Sequence, residues 1–280
     1  MLVSTLSLLR TATKASYAIG AFNVYNLEGA RAVVAASEAY RSPAILQILP
    51  SALRLGGAAL VTLCLVAARH ASVPISVHLD HCRSKAEIET TLRAGLTSIM
   101  ADGSNLPYGE NVAFTREMVT LVHKCRGMVE AELGRLTGTE DDLTISEYAG
   151  NLTDPEQARG FISETGADAL AVCIGNVHGR YSGEPRLDFD RLAAIRAAVS
   201  VPLVLHGASG LGESLVRRSI ELGICKFNVN TEVREAYLDA LREGLSLPRI
   251  DLLDLMAGAI DAMKNVISAK LRLFGSVDRA

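Results

Sequence analysis

The sequence predicts an α/β protein, a single TIM (β/α)8 barrel over residues 1–280 with an additional C-terminal helix. Eight short apolar or β-branched runs are each followed by a segment with the 3.6-residue periodicity of a helix. Strand and helix alternate from the first run to the last, which favours a parallel sheet. Eight such units in 280 residues suit this barrel, which typically needs about 250 residues.

The predicted strands are short and evenly spaced along the chain. Their ranges are 18–24, 43–49, 74–80, 97–102, 128–133, 169–174, 202–207 and 224–230. Prolines open three of them, where a missing N–H is tolerated: Pro43, Pro74 and Pro202. A doubly wound open sheet is the rival arrangement. Because no G-x-G-x-x-G follows the first strand, its dinucleotide-binding form is not expected.

Helices are predicted between the strands and at both ends of the chain. Three of them run up to a glycine that suits the left-handed residue after a helix: Gly95, Gly166 and Gly223. Leu2, Leu6 and Leu9 suit a short N-terminal helix, and the segment after about residue 250 has the pattern of an added amphipathic helix. The sequence contains no linker or low-complexity segment, so one domain is expected.

Composition and charge limit the partners of the chain. The net charge is −3 with both signs interspersed, so binding to nucleic acid or to an anionic membrane is not expected. The five cysteines are odd in number and form no C-x-x-C pair, which favours reduced thiols in a cytoplasmic protein. The apolar run LGGAALVTLCLVAA is interpreted as too short and too glycine-broken to span a bilayer.

Three histidines lie at or just after the ends of predicted strands: His81, His178 and His206. In this barrel the carboxyl ends of the strands meet at the face that carries the chemistry. Three imidazoles there predict a divalent metal, zinc before others, with an open fourth position. Each ring could instead be an ordinary hydrogen-bonded barrel residue. His78 is interpreted as a core or supporting residue, and Cys82 as a buried thiol rather than a soft ligand.

Carboxylates and amides occupy the same strand ends. The candidates are Asn23, Asp80, Asp102, Glu130, Glu132, Asn228 and Asn230. Such groups can hold a metal, exchange protons or orient a substrate. Because adjacent side chains of an ideal strand point to opposite faces, we expect the third strand to end at Asp80 and His81, bringing both into one site.

Two loops are candidates for holding a phosphate group. HGASG (206–210) and NVNTEV (228–233) each precede a helical segment. Small residues at a helix start leave backbone N–H groups free to bind an oxyanion. In TIM barrels the phosphate site commonly lies after strands seven and eight, which are the strands these loops follow. The alternative is an ordinary turn glycine with a Ser or Thr helix cap.

A long polar connection follows the fifth predicted strand. The segment ELGRLTGTEDDLTISEYAGNLTDPEQ (132–157) carries Glu140, Asp141 and Asp142. Connections of this length in a compact domain are usually functional lids or disordered. The charge run could be no more than a solvated surface. Because the segment leaves a strand of the expected metal site, it could also carry a mobile catalytic acid or base.

HLDH, MADGS, EAELGRLTGTEDD, VHGRY, VLHGASG and KFNVNTE occur in this order over about residues 19–275. The series resembles the class II, zinc-dependent ketose-bisphosphate aldolases, which include fructose- and tagatose-1,6-bisphosphate aldolases. The resemblance implies a homo-oligomeric TIM barrel, a homodimer or a homotetramer. It also implies reversible cleavage of a ketose bisphosphate into dihydroxyacetone phosphate and glyceraldehyde 3-phosphate.

The resemblance assigns the metal ligands residue by residue. His81, His178 and His206 match the zinc ligands of the family. Asp102 and Glu132 match acidic residues near the metal that can hold it in an alternative position.

The resemblance also assigns the groups around the substrate. Asp80 matches the residue that handles the proton of the C4 hydroxyl, and Glu140 falls where the family carries a mobile-loop glutamate that exchanges the C3 proton. The phosphate and substrate loops correspond to Gly179, Gly207, Ala208, Ser209, Asn228, Asn230 and Thr231, with Asn23 a further substrate-binding candidate. A monovalent cation, Na⁺ or K⁺, near the Gly179 and Gly207 backbone is also typical of the family.

Departures from the family pattern leave the sugar open. The lid carries Thr137-Gly138 where Gly-Gly is usual, HGAS resembles tagatose-type members, and NVNTE resembles certain fructose-type members. Ser51 is a guess for a substrate-binding serine.

Other functions remain as alternatives. These are an aldolase for another phosphorylated ketose or hydroxy acid, a non-catalytic aldolase-like partner subunit, and another metal-dependent barrel enzyme such as a hydrolase. Imine chemistry at Lys226 is the chemical alternative to a metal.

Overall fold

The structure is a computed structural model that describes residues 1–135, 137–140, 143–145, 152–179, 181, 183–249 and 251–280. Residues 137–140 and 143–145 are described by their backbone alone.

Eight parallel strands close into a barrel in the order β1-β11-β10-β8-β5-β4-β3-β2. The strands of the chain are β1 Ile19–Asn23, β2 Ala44–Ile48, β3 Ile75–Cys82, β4 Ser98–Ala101, β5 Met128–Leu133, β6 Thr137–Glu140, β7 Leu143–Ile145, β8 Ala169–Val172, β9 Val177–His178, β10 Leu203–Leu205 and β11 Ile224–Val229. All eight predicted strands are present, so the predicted TIM barrel is confirmed.

Helices surround the barrel. They are α1 Thr5–Ala15, α2 Leu27–Ala39, α3 Pro50–His70, α4 Lys85–Arg93, α5 Tyr108–Lys124, α6 Pro155–Thr165, α7 Phe189–Ala198, α8 Glu213–Glu221, α9 Thr231–Leu245 and α10 Leu252–Leu273. The added C-terminal helix is α10, which packs against α9 and α2. The three helix-ending glycines have φ values of +91°, +71° and +103°, as predicted: Gly95, Gly166 and Gly223.

The N-terminal helix α1 packs on the end of the barrel opposite the strands' carboxyl ends. Its Leu8 and Leu9 join a buried cluster with Ile19, Met128 and other residues at the beginnings of strands. The helix begins later than its leucine spacing suggests. Leu2 lies outside it and forms an isolated parallel bridge with Ile75.

The helix α3 is longer than the apolar run that was predicted to be too short and glycine-broken for a bilayer, but the predicted break at glycine is present. It spans 21 residues, and by length and composition alone it is the one described helix that could cross a membrane. Gly57, with φ of +54°, lies at a kink between two helical segments. The segment before the kink adds to the length of the helix. Leu60, Val61 and Leu65 are buried in the core, a pattern that also fits a helix packed on a protein barrel.

The polar connection after β5 contains regular structure rather than a plain loop. Its strands β6 and β7 pair as an antiparallel hairpin, and β6 pairs in parallel with β9 in the register Gly138 to His178. The side chain of Glu140 and all of Asp141 and Asp142 lie outside the described residues. The backbone of the predicted lid therefore runs beside one of the three predicted metal ligands.

Strand β3 does not end at Asp80 and His81, contrary to the prediction. It continues to Cys82, but between Leu79 and Cys82 it advances three residues while β4 advances two. This bulge places His81 at φ of +46°, a left-handed conformation that non-glycine residues rarely adopt. The irregularity breaks the alternation of the strand, so neighbouring side chains both face the barrel mouth.

Candidate metal centre

The three predicted metal-binding histidines converge. The ring centroid of His81 lies 4.9 Å from that of His178 and 4.6 Å from that of His206. The centroids of His178 and His206 are 6.1 Å apart. One nitrogen from each ring can be chosen so that all three lie within 4.8 Å of one another, and all three residues are buried. His206 directly follows β10, as predicted. His178 does not extend a barrel strand, because β8 ends at Val172 and His178 belongs to β9.

Buried polar atoms without hydrogen-bond partners test whether the site fits a metal ion. Among the described residues, Nε2 of His81, Nδ1 of His206 and Oε2 of Glu132 are such atoms. Oε2 of Glu132 lies 3.5 Å from Nδ1 of His206. Buried polar groups normally have partners, so these converging lone pairs fit a cation. His81, His178 and His206 would hold it, and Asp102 and Glu132 form a second possible ligand set with His81.

The outer nitrogen of His81 faces a carboxylate. Its Nδ1 lies 3.2 Å from Oδ2 of Asp102, which also accepts a hydrogen bond from Nε of Arg83 at 3.1 Å. Burial opposes protonation of the ring, but the carboxylates of Asp80 and Asp102 raise the pKa of His81 to about 10. Burial likewise opposes ionisation of Asp102, yet its hydrogen bond to His81 holds its pKa well below the usual range. This negative environment attracts a dication.

His206 faces a second buried carboxylate on its other nitrogen. Nε2 of His206 lies 3.0 Å from Oε1 of Glu130, and Nζ of Lys226 lies 2.7 Å from Oε2 of the same carboxylate. All three side chains are completely buried. Burial alone would raise the pKa of Glu130, but Lys226 and the hydrogen bond from His206 hold it well below its usual range.

His78 lies beneath this pair and is a supporting residue, as predicted. Its Nδ1 contacts Oγ of Ser98 at 2.8 Å, and its Nε2 lies 3.8 Å from Oε2 of Glu130. Burial, followed by the charge of Lys226, lowers the pKa of His78 to about 3. The ring is therefore neutral, and it belongs to neither of the two groups of side chains that could hold a metal.

Asp80 is enclosed by three side-chain amides. Asn23 and Gln47 each donate from an amide nitrogen to Oδ2 at 3.2 Å, and Asn228 donates to Oδ1 at 3.0 Å. The amides come from three different strands, β1, β2 and β11, while Asp80 is on β3. Gln47 was missed by the sequence analysis. The signal that could have identified it is a polar residue inside the otherwise apolar run of β2, and the structure places it opposite His78.

The loops after β8 and β10 are tied together behind the histidines. Asn176 donates to the backbone carbonyl of His206 at 3.1 Å, and the hydroxyl of Tyr181 donates to the carbonyl of Gly207 at 3.0 Å. A Cβ on Gly207 would lie 1.9 Å from the carbonyl oxygen of Val177, and its φ is +67°. Glycine is therefore required for the approach of these two loops. Asn176 and Tyr181 were also missed, because their sequence context shows no strand-end pattern.

The predicted phosphate-binding residues other than Gly179 lie in the loop between β10 and α8 and around the junction of β11 and α9. The backbone N–H of Ala208 donates to the carbonyl of Asn228 at 3.3 Å, which joins the two loops. In the described part of the chain, neither helix start has a side-chain cap. Buried or nearly buried residues at this position are Ala208, Ser209, Asn228, Asn230 and Thr231. Uncapped helix starts leave backbone donors available for an oxyanion.

Other predicted groups fall in several places. Gly179 has φ of +80° and directly follows His178. Ser51 lies in the first turn of α3, and no described contact joins it to the histidines. The thiol of Cys82 contacts the carbonyl of Ser84 at 3.5 Å, away from the rings, and burial raises its pKa to about 12. It is a buried thiol, as expected.

The amine of Lys226 donates to both carboxylate oxygens of Glu130. An imine forms from a neutral amine, and this contact keeps the amine charged, so the position does not suit imine chemistry.

Comparisons with known proteins identify the family of the chain. A model of the family described as "Fructose-bisphosphate aldolase class-II" matches residues 3–279. The YdjI aldolase from Escherichia coli K12 is 37% identical, with a TM-score of 0.89 and full coverage of both chains. A putative fructose-1,6-biphosphate aldolase from Coccidioides immitis is also 37% identical, with a TM-score of 0.93 over 98% of this chain and 97% of that one.

A more distant structure has the same fold. Fructose-bisphosphate aldolase from Campylobacter jejuni is 20% identical, with a TM-score of 0.84 over 100% of this chain and 97% of that one. At 20% sequence identity, this likeness supports the fold alone. The family match covers nearly the whole chain, and the two structures that are 37% identical cover 100% and 98% of it. The chain therefore belongs to the class II fructose-bisphosphate aldolase family.

Proposed function

We propose that the protein is a zinc-dependent lyase that reversibly cleaves a ketose 1,6-bisphosphate into dihydroxyacetone phosphate and glyceraldehyde 3-phosphate. One observation carries the proposal. Three buried imidazoles offer nitrogens within 4.8 Å of one another, and the amide-bound carboxylate of Asp80 precedes one of them in the chain. A carboxylate next to a three-histidine centre supplies the base that a retro-aldol cleavage requires.

Asp80 is proposed to remove the proton of the C4 hydroxyl. Its carboxylate is buried and is oriented by Asn23, Gln47 and Asn228. Loss of this proton lets the C4 oxygen form the aldehyde as the C3–C4 bond breaks. The bonding electron pair stays on C3, in the half that carries the ketone. Glu140 is proposed to protonate C3 of that half, since it ends β6, the hairpin strand that pairs with β9 in the register Gly138 to His178.

The remaining groups bind the substrate. The loops containing Gly179, Gly207 and Ser209, with the start of α9 at Thr231, are proposed to hold the phosphate groups through backbone donors. A bound zinc ion would polarise the ketone as a Lewis acid. A monovalent cation, Na⁺ or K⁺, is proposed near the Gly179 and Gly207 backbone.

Chelation tests the proposed use of a metal. Treatment with a chelator, followed by its removal, should abolish cleavage, and added zinc should restore it. Borohydride should not trap an adduct with the substrate, because Lys226 is paired with Glu130. Cleavage that survives metal removal and is inactivated by borohydride with substrate would refute the proposal and favour the imine route.

The identity of the sugar needs a separate assay. Fructose and tagatose 1,6-bisphosphates should be compared side by side, with triose phosphate release as the readout. An aldolase for another phosphorylated sugar is the second candidate. It is favoured because a relative described only as an aldolase is as similar, at 37% identity, as one described as a putative fructose-1,6-biphosphate aldolase. Turnover of neither bisphosphate by zinc-loaded protein would support this second candidate.

The setting of the enzyme is also proposed. A homodimer or homotetramer in the cytoplasm, acting on a small sugar phosphate in carbohydrate metabolism such as glycolysis, agrees with the family and with the dispersed charge. Sedimentation of the purified protein would test the oligomer.

A further inference from the structure

The buried pair Glu130 and Lys226 lies outside the expected chemistry and therefore requires an explanation. Both side chains are completely buried, and Nζ of Lys226 lies 3.0 Å and 2.7 Å from the two carboxylate oxygens. A buried ion pair is weak evidence for stability, since apolar replacements of similar volume are often neutral or stabilising. The reason for the pair is therefore sought in the side chain that the Glu130 carboxylate contacts.

That neighbour is His206. Oε1 of Glu130 lies 3.0 Å from Nε2 of the imidazole, while Nδ1 on the other side of the ring has no hydrogen-bond partner among the described residues. A carboxylate beside an ammonium group is an acceptor, so the ring must donate its proton from Nε2. The lone pair of the neutral ring is then on Nδ1, which faces Oε2 of Glu132 and the space between the histidines.

His81 has the opposite arrangement. Its Nδ1 faces Asp102 at 3.2 Å, and its Nε2 is the buried nitrogen without a partner. Nε2 of His81 and Nδ1 of His206 are thus the nitrogens without a hydrogen-bond partner among the described residues, and a carboxylate lies at the other nitrogen of each ring. Oε2 of Glu132 lies near both rings, 3.7 Å from Nδ1 of His81 and 3.5 Å from Nδ1 of His206. Carboxylates behind ligand imidazoles fix the tautomer and the ring orientation in metal sites.

We propose that Glu130, held in place by Lys226, is a positioning residue that commits Nδ1 of His206 to the metal. The inference rests on the proposed metal-dependent function. In this arrangement Glu130 touches neither the substrate nor the ion and acts through His206. Lys226 prevents the carboxylate from turning toward Nε2 of His78, which lies 3.8 Å away.

Two double variants separate the effect of the hydrogen-bond acceptor at position 130 from the effect of its charge. Glu130→Gln with Lys226→Met removes both charges but keeps an amide oxygen that can accept from Nε2 of His206, while its NH₂ group faces Nε2 of His78. Glu130→Leu with Lys226→Met removes the acceptor as well, at similar volume. The two variants share the change at Lys226, so they differ only in the side chain at position 130.

Zinc affinity, measured by competition with a chromogenic chelator, is the readout. We expect Glu130→Leu/Lys226→Met to bind zinc about 10–100-fold more weakly than the wild type, and Glu130→Gln/Lys226→Met to retain most of the affinity. Equal affinities of the two double variants would overturn the inference alone. If the wild-type protein does not bind zinc, the proposed function fails and the inference fails with it.

A crystal structure of the zinc-loaded wild-type protein provides a measurement that needs no variant, should either double variant fail to fold. We expect Nδ1 of His206 on the ion and Nε2 within hydrogen-bond distance of Glu130. A ring turned so that Nε2 meets the ion, or Glu130 withdrawn from the ring, would overturn the inference.

Discussion

Asp80 and His81 are neighbours in the chain, yet both side chains face the barrel mouth. Asp80 contacts the amides of Asn23 and Asn228, and His81 contacts Asp102 and lies edge-on to His206. A regular strand would send one of them outward. The bulge in β3 and the left-handed backbone of His81 avoid this, so a base and a metal ligand lie side by side in one site.

Replacing Asp80 by Ala separates proton transfer from metal binding. The described hydrogen bonds of Asp80 are to side-chain amides rather than to the imidazoles, so zinc content should stay near that of the wild type. Turnover should fall by about 10²–10⁴-fold, the usual contribution of a general base. Elemental analysis and a cleavage assay on the same preparation provide the two measurements. Unchanged turnover would remove Asp80 from the reaction.

Replacing His206 by Ala should have the reverse effect on metal content. The change removes Nδ1 of His206, one of the buried nitrogens without a hydrogen-bond partner among the described residues, and takes away the imidazole that contacts Glu130. Zinc per chain after dialysis should drop severalfold, and activity should fall with it.

His123→Ala is the matched control. That ring lies on α5, is 43% exposed and contacts Asp168 at 2.8 Å, away from the barrel mouth. Its loss should leave both zinc content and activity unchanged. An equal loss of zinc from the two variants would show that the measurement reports general damage.

Replacing Gln47 by Leu tests the amide that the sequence analysis missed. Gln47 is completely buried and donates to Oδ2 of Asp80 at 3.2 Å. Hydrogen bonds to charged groups are worth about 1.5–3 kcal/mol, so kcat should fall by about 10–100-fold while zinc content is retained. Gln157→Leu, at an exposed position in the first turn of α6, is the control and should have no effect. A normal kcat in Gln47→Leu would mean that two amides suffice to orient the carboxylate.

The barrel was predictable because its signals are local. Each apolar strand and each glycine-ended helix, such as the one before Gly166, is recognised from residues close together in the chain. The places of His81, His178 and His206 near strand ends were recognised in the same way. The path of His178 was not predictable, because β9 pairs with β6 across a long connection and a two-residue strand has little pattern of its own. The amide of Gln47 was overlooked within an apolar run, since a single polar residue inside a strand resembles a chance substitution.

The continuation of β3 through His81 was missed for a related reason. A bulge is a relation between two strands, and it appears only when the register of β3 against β4 is known. Regular strand geometry allows two adjacent side chains to face inward only where the strand ends, which is why an end was predicted at Asp80 and His81. The ion pair of Glu130 with Lys226 likewise joins residues 96 positions apart, and neither residue lies beyond its strand.

Replacing Gly207 by Ala should damage the site through the backbone. Its φ of +67° disfavours any Cβ, and the added carbon would lie 1.9 Å from the carbonyl oxygen of Val177, the residue before His178. Gly210→Ala is a matched control, because it also has a positive φ of +83° but its nearest contact is an ordinary 3.6 Å to the ring of Tyr181.

Denaturant unfolding and zinc content together distinguish the two glycine variants. Gly210→Ala should lose about 1–2 kcal/mol of unfolding free energy, the cost of a left-handed residue with a side chain, and should keep its zinc. Gly207→Ala should lose more stability than that and also bind zinc more weakly, since the loop carrying His178 must move away from His206. Equal losses of stability with full zinc content in both variants would show that the contact between Gly207 and Val177 does not position His178.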